Sequence, residues 1–148
     1  MEERLTEELL DELLSAPDPA SYIDQHHPSK RSFSQYLNEL AAARNLKGRE
    51  VVAAAQLDGT YGYMLFTGRR SHPSRDIVLQ FAFAMHLSLL ETDRLLQAAG
   101  VSKLYCKDRR DAIVIFCLDR QTTLDEVNET LFRLGERTLG ENTRSNQK

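Results

Sequence analysis

The stretch LKGREVVAAAQLDGTYGYMLFTGRRSHP, residues 46–73, constrains this chain more than any other. Val51, Ala54 and Ala55 recur at i, i+3 and i+4, which predicts a short helix with one buried stripe. The run Ala53 to Ala55 lets another helix approach closely. Asp58 is a good N-cap, because its carboxylate accepts from the orphan N–H groups of a helix opening at Gly59 or Thr60. Gly68 then stops that helix, since glycine takes the left-handed conformation that closes a helix end. The pattern predicts two helices of about eight residues joined by a turn of three or four, followed by a basic loop.

The flanking segments also read as helix. Leu5, Leu9, Leu10, Leu13 and Leu14 form an apolar stripe on an acidic helix that Pro17 and Pro19 end. Residues 19–26 add a turn or two, with Tyr22 and Ile23 as apolar contacts, before a polar linker from His26 to Lys30. Ser32 and Gln35 make a capping box for a helix with Phe33, Tyr36, Leu37, Leu40 and Ala41 on one side, closed by Asn45. Ser74 caps a helix running through His86, with Ile77, Val78, Phe81, Ala82 and Met85 facing inward. Ser88 and Glu91 open a fifth helix in this region, which Gly100 terminates.

Beyond Gly100, Asp108 and Asp111 read as helix-start charges ahead of AIVIFCLDR, a strongly apolar helix with a buried strand as the alternative. Thr123 and Glu126 open a last helix, apolar at Leu124, Val127, Leu131, Phe132 and Leu134, that Gly135 ends. This hairpin needs cover from the domain core, from the N-terminal leucine helix or from a second subunit. The expected class is all-α. The boundaries fall at 1–29 (acidic helical extension), 30–100 (central domain), 101–135 (helical hairpin) and 136–148 (polar, disordered tail).

Composition narrows the classes. With 41% apolar and 28% charged residues the chain is an ordinary globular one. No apolar run reaches the roughly 18–20 residues that span a bilayer, and MEERLTEELLDELL lacks the basic n-region of a secretory signal. Two cysteines, Cys106 and Cys117, make no disulfide framework; they are expected to be reduced and at least partly buried, in a cytoplasmic protein. His26, His27, His72 and His86 are scattered, with no metal-ligand spacing, no phosphate-binding glycine loop and no G-x-S-x-G. No enzyme, no cofactor and no metal are expected. His86 is expected as a partly buried helix-end residue. The net charge of −3 hides a partition: residues 30–75 carry eight Lys and Arg against three Asp and Glu, while residues 1–29 carry one Arg against eight acids. A local basic face attracts phosphate even when the whole chain is slightly acidic.

Residues 37–99 resemble the phage lambda repressor-like helix-turn-helix domain, also called the XRE or Cro type. The resemblance is carried by Arg44-Asn45-Leu46, Leu57, the run from Met64 to Gly68, Arg69-Arg70, Pro73-Ser74 and Leu87-Ser88-Leu89, in order and at matching spacing. It implies a five-helix domain whose recognition helix is residues 59–67, in a bacterial or phage transcription regulator that binds double-stranded DNA. By position, Thr60, Tyr61, Tyr63 and Met64 would face the bases. Lys47, Arg49, Thr67, Arg69 and Arg70 would meet phosphates, with Lys47 and Arg49 helped by a helix N-terminus.

Glycine stands at positions 48 and 59, and no Arg, Lys, Asn or Gln lies between 59 and 67, whereas base readout uses bidentate donors. DNA binding through phosphates with weak base readout is therefore expected. Gly62 is expected to loosen the recognition helix, where the family usually has Val or Ile. The alternative is a non-catalytic protein–protein interaction module on the same scaffold, with Tyr61, Tyr63 and Met64 as its anchor patch. A protein partner and a homodimer through the C-terminal helices are the other partners that the pattern allows.

Overall fold

The computed structural model describes residues 6–26 and 31–140, and every regular element among them is an α-helix. In order these are α1 (Thr6–Ser15), α2 (Pro19–His26), α3 (Phe33–Ala43), α4 (Gly48–Ala54), α5 (Gly59–Thr67), α6 (Arg75–Met85), α7 (Leu89–Ala98), α8 (Arg109–Asp119) and α9 (Leu124–Arg133). The fold is all-α, and AIVIFCLDR lies in helix α8. No helix among the described residues is long and apolar enough to cross a membrane. The chain forms two compact units, divided between Arg31 and Ser32.

In the first unit α1 packs on α2, whose start is held by Asp18 Oδ1 accepting from the Ser21 N–H at 2.8 Å. Leu9 is half-buried, while Leu10, Leu13 and Leu14 are exposed. Leu5 and linker residues 27–30 lie outside the described residues.

The second unit is built around α6. Every residue from Ile77 to Phe83 is buried, so for two turns this helix has no solvent face, as expected of a helix that is apolar nearly all round. Helices α4, α7 and α9 pack around it. The Phe81 ring lies 6.2 Å from that of Phe33 and 6.0 Å, edge-on, from that of Phe66. Local chemistry sets the helix starts: Ser32, Asp58, Ser74, Ser88, Asp108 and Thr123 each accept from an N–H three residues on. The stops share one device, since Asn45, Gln56, Gly68, His86, Gly100, Gln121 and Gly135 all take a left-handed backbone just past α3 to α9.

Helices α8 and α9 pack within this unit, α8 on α7 and α9 on α6, and one hydrophobic core runs from Phe33 to Leu139, although Phe116 of α8 stays exposed. Several expectations change. The buried stripe of α9 is Leu124, Val127 and Leu131 at i, i+3 and i+7. Phe132, one residue round the helix, is 78% exposed, and Leu134 is exposed beyond the last turn. The tail is ordered through Gly140: Leu139 is buried, and its N–H donates to Asn128 Oδ1 at 2.7 Å. Residues 141–148 lie outside the described residues. Cys106 is exposed in the turn before α8, and only Cys117 is buried. His86 is exposed, because its left-handed backbone ends α6 at the surface.

Asp111 is more than a helix-start charge. Arg75 donates to both of its carboxylate oxygens, at 2.7 and 2.6 Å. In exchange, Arg110 of α8 donates to both oxygens of Asp76 of α6, at 2.9 and 3.0 Å. Two Arg-Asp dipeptides, one opening each helix, thus swap partners. Burial pushes the Asp111 carboxyl up, but the Arg75 hydrogen bonds, the Tyr105 N–H and the charges of Arg75 and Arg110 outweigh it and hold the group below the ordinary carboxylate value. A carboxyl depressed in the folded state contributes stability that is present at neutral pH and lost as pH falls through its folded value. Asp111→Ala is expected to lower the unfolding free energy at pH 7 by about 3 kcal/mol, since it strands Arg75. In urea titrations that loss should shrink on acidification below about pH 4; a constant loss from pH 7 to pH 3 would contradict the clasp.

Candidate functional site

The pair α4–α5 is set by a missing side chain. A Cβ on Gly62 would meet both methyls of Val52, Cγ1 at 2.5 Å. Glycine here lets the two backbones approach more closely than any side chain would permit. The expected loosening is therefore reversed: Gly62 is buried and packs directly against Val52. At the other end, a Cβ on Gly48 would lie 3.5 Å from the Phe66 ring, an ordinary contact. The start of α4 thus runs beside the last turn of α5. Asn38 of α3 pins that turn, donating from Nδ2 to Phe66 O at 2.8 Å and to Ser34 O at 2.7 Å. Sequence reasoning passed over Asn38; its only signal is an amide residue inside a helix, where side-chain-to-backbone bonding is the usual reason for one.

Capping completes α5. The Tyr61 N–H donates to Asp58 Oδ2 at 2.9 Å, and Gly68 closes the helix with φ of 87°. The side away from the core carries Thr60, Tyr63 and Thr67 at i, i+3 and i+7, all exposed, with Tyr63 at 62%. Met64 sits half-buried at its edge. Tyr61 lies elsewhere, half-buried against the core; burial raises its phenol's pKa and the charge of Arg70 draws it partly back. The Thr67 hydroxyl donates to Met64 O at 3.2 Å, so its proton is turned to its own helix and the outward oxygen is an acceptor.

The basic residues converge. Lys47 and Arg49 flank the start of α4, and Arg69 and Arg70 follow the end of α5, which the Gly48–Phe66 contact makes the same end of the pair. All four are exposed, and none takes part in the ion pairs among the described residues. At the start of α4 the N–H of its N-cap residue Lys47 donates to Glu50 Oε1 at 3.0 Å. That carboxylate adds a negative charge beside the cations of Lys47 and Arg49. His72, in the basic loop, is exposed with Nδ1 3.4 Å from Ala99 O. Among the described residues no group of three His, Cys, Asp or Glu is placed to hold a metal ion.

Comparison with protein-family models, with curated proteins and with solved structures gives no match to this chain. What the site can do is decided by its own residues: an exposed phenol and two hydroxyls on a short helix packed closely on its neighbour, and four cations with long reach at one end of the pair.

That close packing is testable. Gly62→Ala is expected to lower the unfolding free energy by about 1–3 kcal/mol through overpacking. Gly59→Ala, where a Cβ meets nothing within 4 Å, should leave stability unchanged or raise it by up to about 0.5 kcal/mol. Equal effects in chemical denaturation would refute the close approach.

Proposed function

We propose that this chain is a DNA-binding transcription regulator of the lambda repressor-like type. In this reading α4 and α5 form the helix-turn-helix, and α5 lies in the major groove. The supporting observation is the gathering of Lys47, Arg49, Arg69 and Arg70, none in an ion pair among the described residues, at one end of α4–α5. Arg69 and Arg70 follow directly on α5, whose exposed residues include Thr60, Tyr63 and Thr67.

Phosphates would supply most of the affinity, because the cations are on flexible side chains and no bidentate base reader lies on α5. Thr60 offers one hydroxyl, and Tyr63 a phenol and a ring edge for thymine methyls. Met64, half-buried, adds only apolar contact.

A second reading has its own observation. Tyr63 is the most exposed aromatic residue of α5 and no charged or amide side chain shares that helix. Exposed aromatic residues anchor protein interfaces, so on this reading the same side of α5 receives a protein partner.

Anisotropy titration of a labelled mixed-sequence duplex separates the two. Binding is expected at ~50 mM salt, with log K falling against log salt at a slope of about −3 to −4, as four phosphate contacts require. Arg69→Ala with Arg70→Ala should reduce that slope by about 2. No binding at ~50 mM salt and ~10 μM protein would overturn the DNA reading, since nonspecific binders at low salt are saturated there.

A further inference from the structure

The joint between α4 and α5 is held from outside by the C-terminal third of the chain. Gln56, in that joint, has a left-handed backbone, φ 59°, without being glycine. Such a conformation persists when the surroundings over-determine it. Its Nε2 donates to Asp125 Oδ1, in the first turn of α9, at 2.7 Å. One residue earlier, Ala55 O accepts from Gln80 Nε2 at 3.0 Å inside the core. Gln80 is 2% exposed and its Oε1 accepts from no described group, so the Ala55 bond orients the amide.

Gly140 lies against that same amide, where a Cβ would come 2.9 Å from Nε2. Its neighbour Leu139 is tied to α9 through both polar atoms of Asn128, at 2.7 and 3.3 Å. Helix α9 and the segment after it therefore reach the joint twice, through Asp125 on the outside and through Gly140 and Gln80 on the inside.

We infer that Asp125, Gln80 and Gly140 are positioning residues that fix the direction in which α5 leaves the joint, so that the C-terminal hairpin sets the affinity of the α5 face for duplex DNA. The affinity half of this inference rests on the DNA reading; the brace itself does not. A partner that draws α9 or residues 136–140 away would release the joint without touching α5.

The test uses the full chain and three variants whose helical circular dichroism is first matched to wild type. Asp125→Ala removes the carboxylate that accepts from Gln56 Nε2. Asp125→Asn removes the same charge but keeps an acceptor oxygen. Gly140→Ala pushes on Gln80 and strains a residue at φ 86°. Amide hydrogen exchange at Gln56 and Leu57 should quicken by about three- to tenfold in Asp125→Ala and Gly140→Ala, and by less than about twofold in Asp125→Asn.

Affinity for the mixed-sequence duplex should fall by about three- to tenfold in Asp125→Ala relative to Asp125→Asn. Unchanged exchange in both Asp125→Ala and Gly140→Ala overturns the brace whatever the DNA result. Faster exchange with equal affinities overturns its coupling to α5. A wild-type chain that binds no duplex sinks the DNA reading instead, and the exchange rates then still decide the brace.

Discussion

A methyl group on residue 62 has no room beneath Val52, and that one exclusion governs how α4 and α5 lie. Protein interiors are packed at crystal-like density, so a helix pair keeps the separation that its smallest contact residue allows. With Gly62 there, α5 sits low on α4. Leu65 is fully buried, and Phe66 reaches under the start of α4 to meet Phe81 edge-on. What remains outside is a narrow side of about two turns bearing Thr60, Tyr63 and Thr67. Because the two helices run past each other, the charges before α4 and after α5 fall together. Lys47 and Arg49 come twenty or more residues before Arg69 and Arg70 in the chain, and the Gly48–Phe66 contact brings the two pairs to one end of the helix pair.

The same unit depends on α6, which is enclosed over two turns and so has little of its own to fix its register. Apolar contacts are non-directional, and a core of Leu, Val and Phe tolerates small slips. Directional bonds supply what burial lacks. At the start of α6, Arg75 and Asp76 exchange bidentate bonds with Asp111 and Arg110 at the start of α8. Arg75 also donates to Ser102 O and Lys103 O in the connecting segment. At the far end Arg44 donates to Met85 O and pairs with Glu91. Half-buried ion pairs add modest net stability, but leaving either partner alone is unfavourable, which makes them good registers and poor glue.

The helix starts were legible because their chemistry is local. Ser32, Asp58, Ser74, Ser88 and Thr123 cap as the spacing of their partners indicated. Stops at Asn45, Gly68, Gly100 and Gly135 were legible for the same reason, since these residues favour positive φ. Gln56 and Gln121 take the identical backbone with no such preference, so their stops are imposed by the tertiary structure and left no mark in the sequence. Gly62 was misread because propensity counts its loss of helix stability, whereas the gain lies in Val52, ten residues away. Asp111 and Leu139 escaped similarly: their partners are Arg75 and the core under α9, and nothing in the surrounding residues names them. Of the candidate site, Thr60 and Tyr63 were named through the family resemblance, and both are exposed. The inward turn of Tyr61 and the inward proton of Thr67 were not legible, because each depends on one particular neighbour.

These placements bear on how such a surface discriminates among polyanions. Attraction through four mobile cations falls with salt and is nearly indifferent to sequence. Discrimination by hydrogen bonding comes from bidentate donors, each worth about 1–3 kcal/mol against a wrong base. Between residues 59 and 67 there is none. On the proposed reading, selectivity then has to come from apolar contact with thymine methyls or from groove shape. Neither is read by a long side chain that swings to find its partner. Both depend on the depth and angle at which a rigid rod meets the groove. A helix with a poor chemical vocabulary is thus one for which orientation carries the information, and in this chain orientation is held by Gly62 against Val52, by Asn38 on the last turn and by Asp125 and Gln80 on the joint.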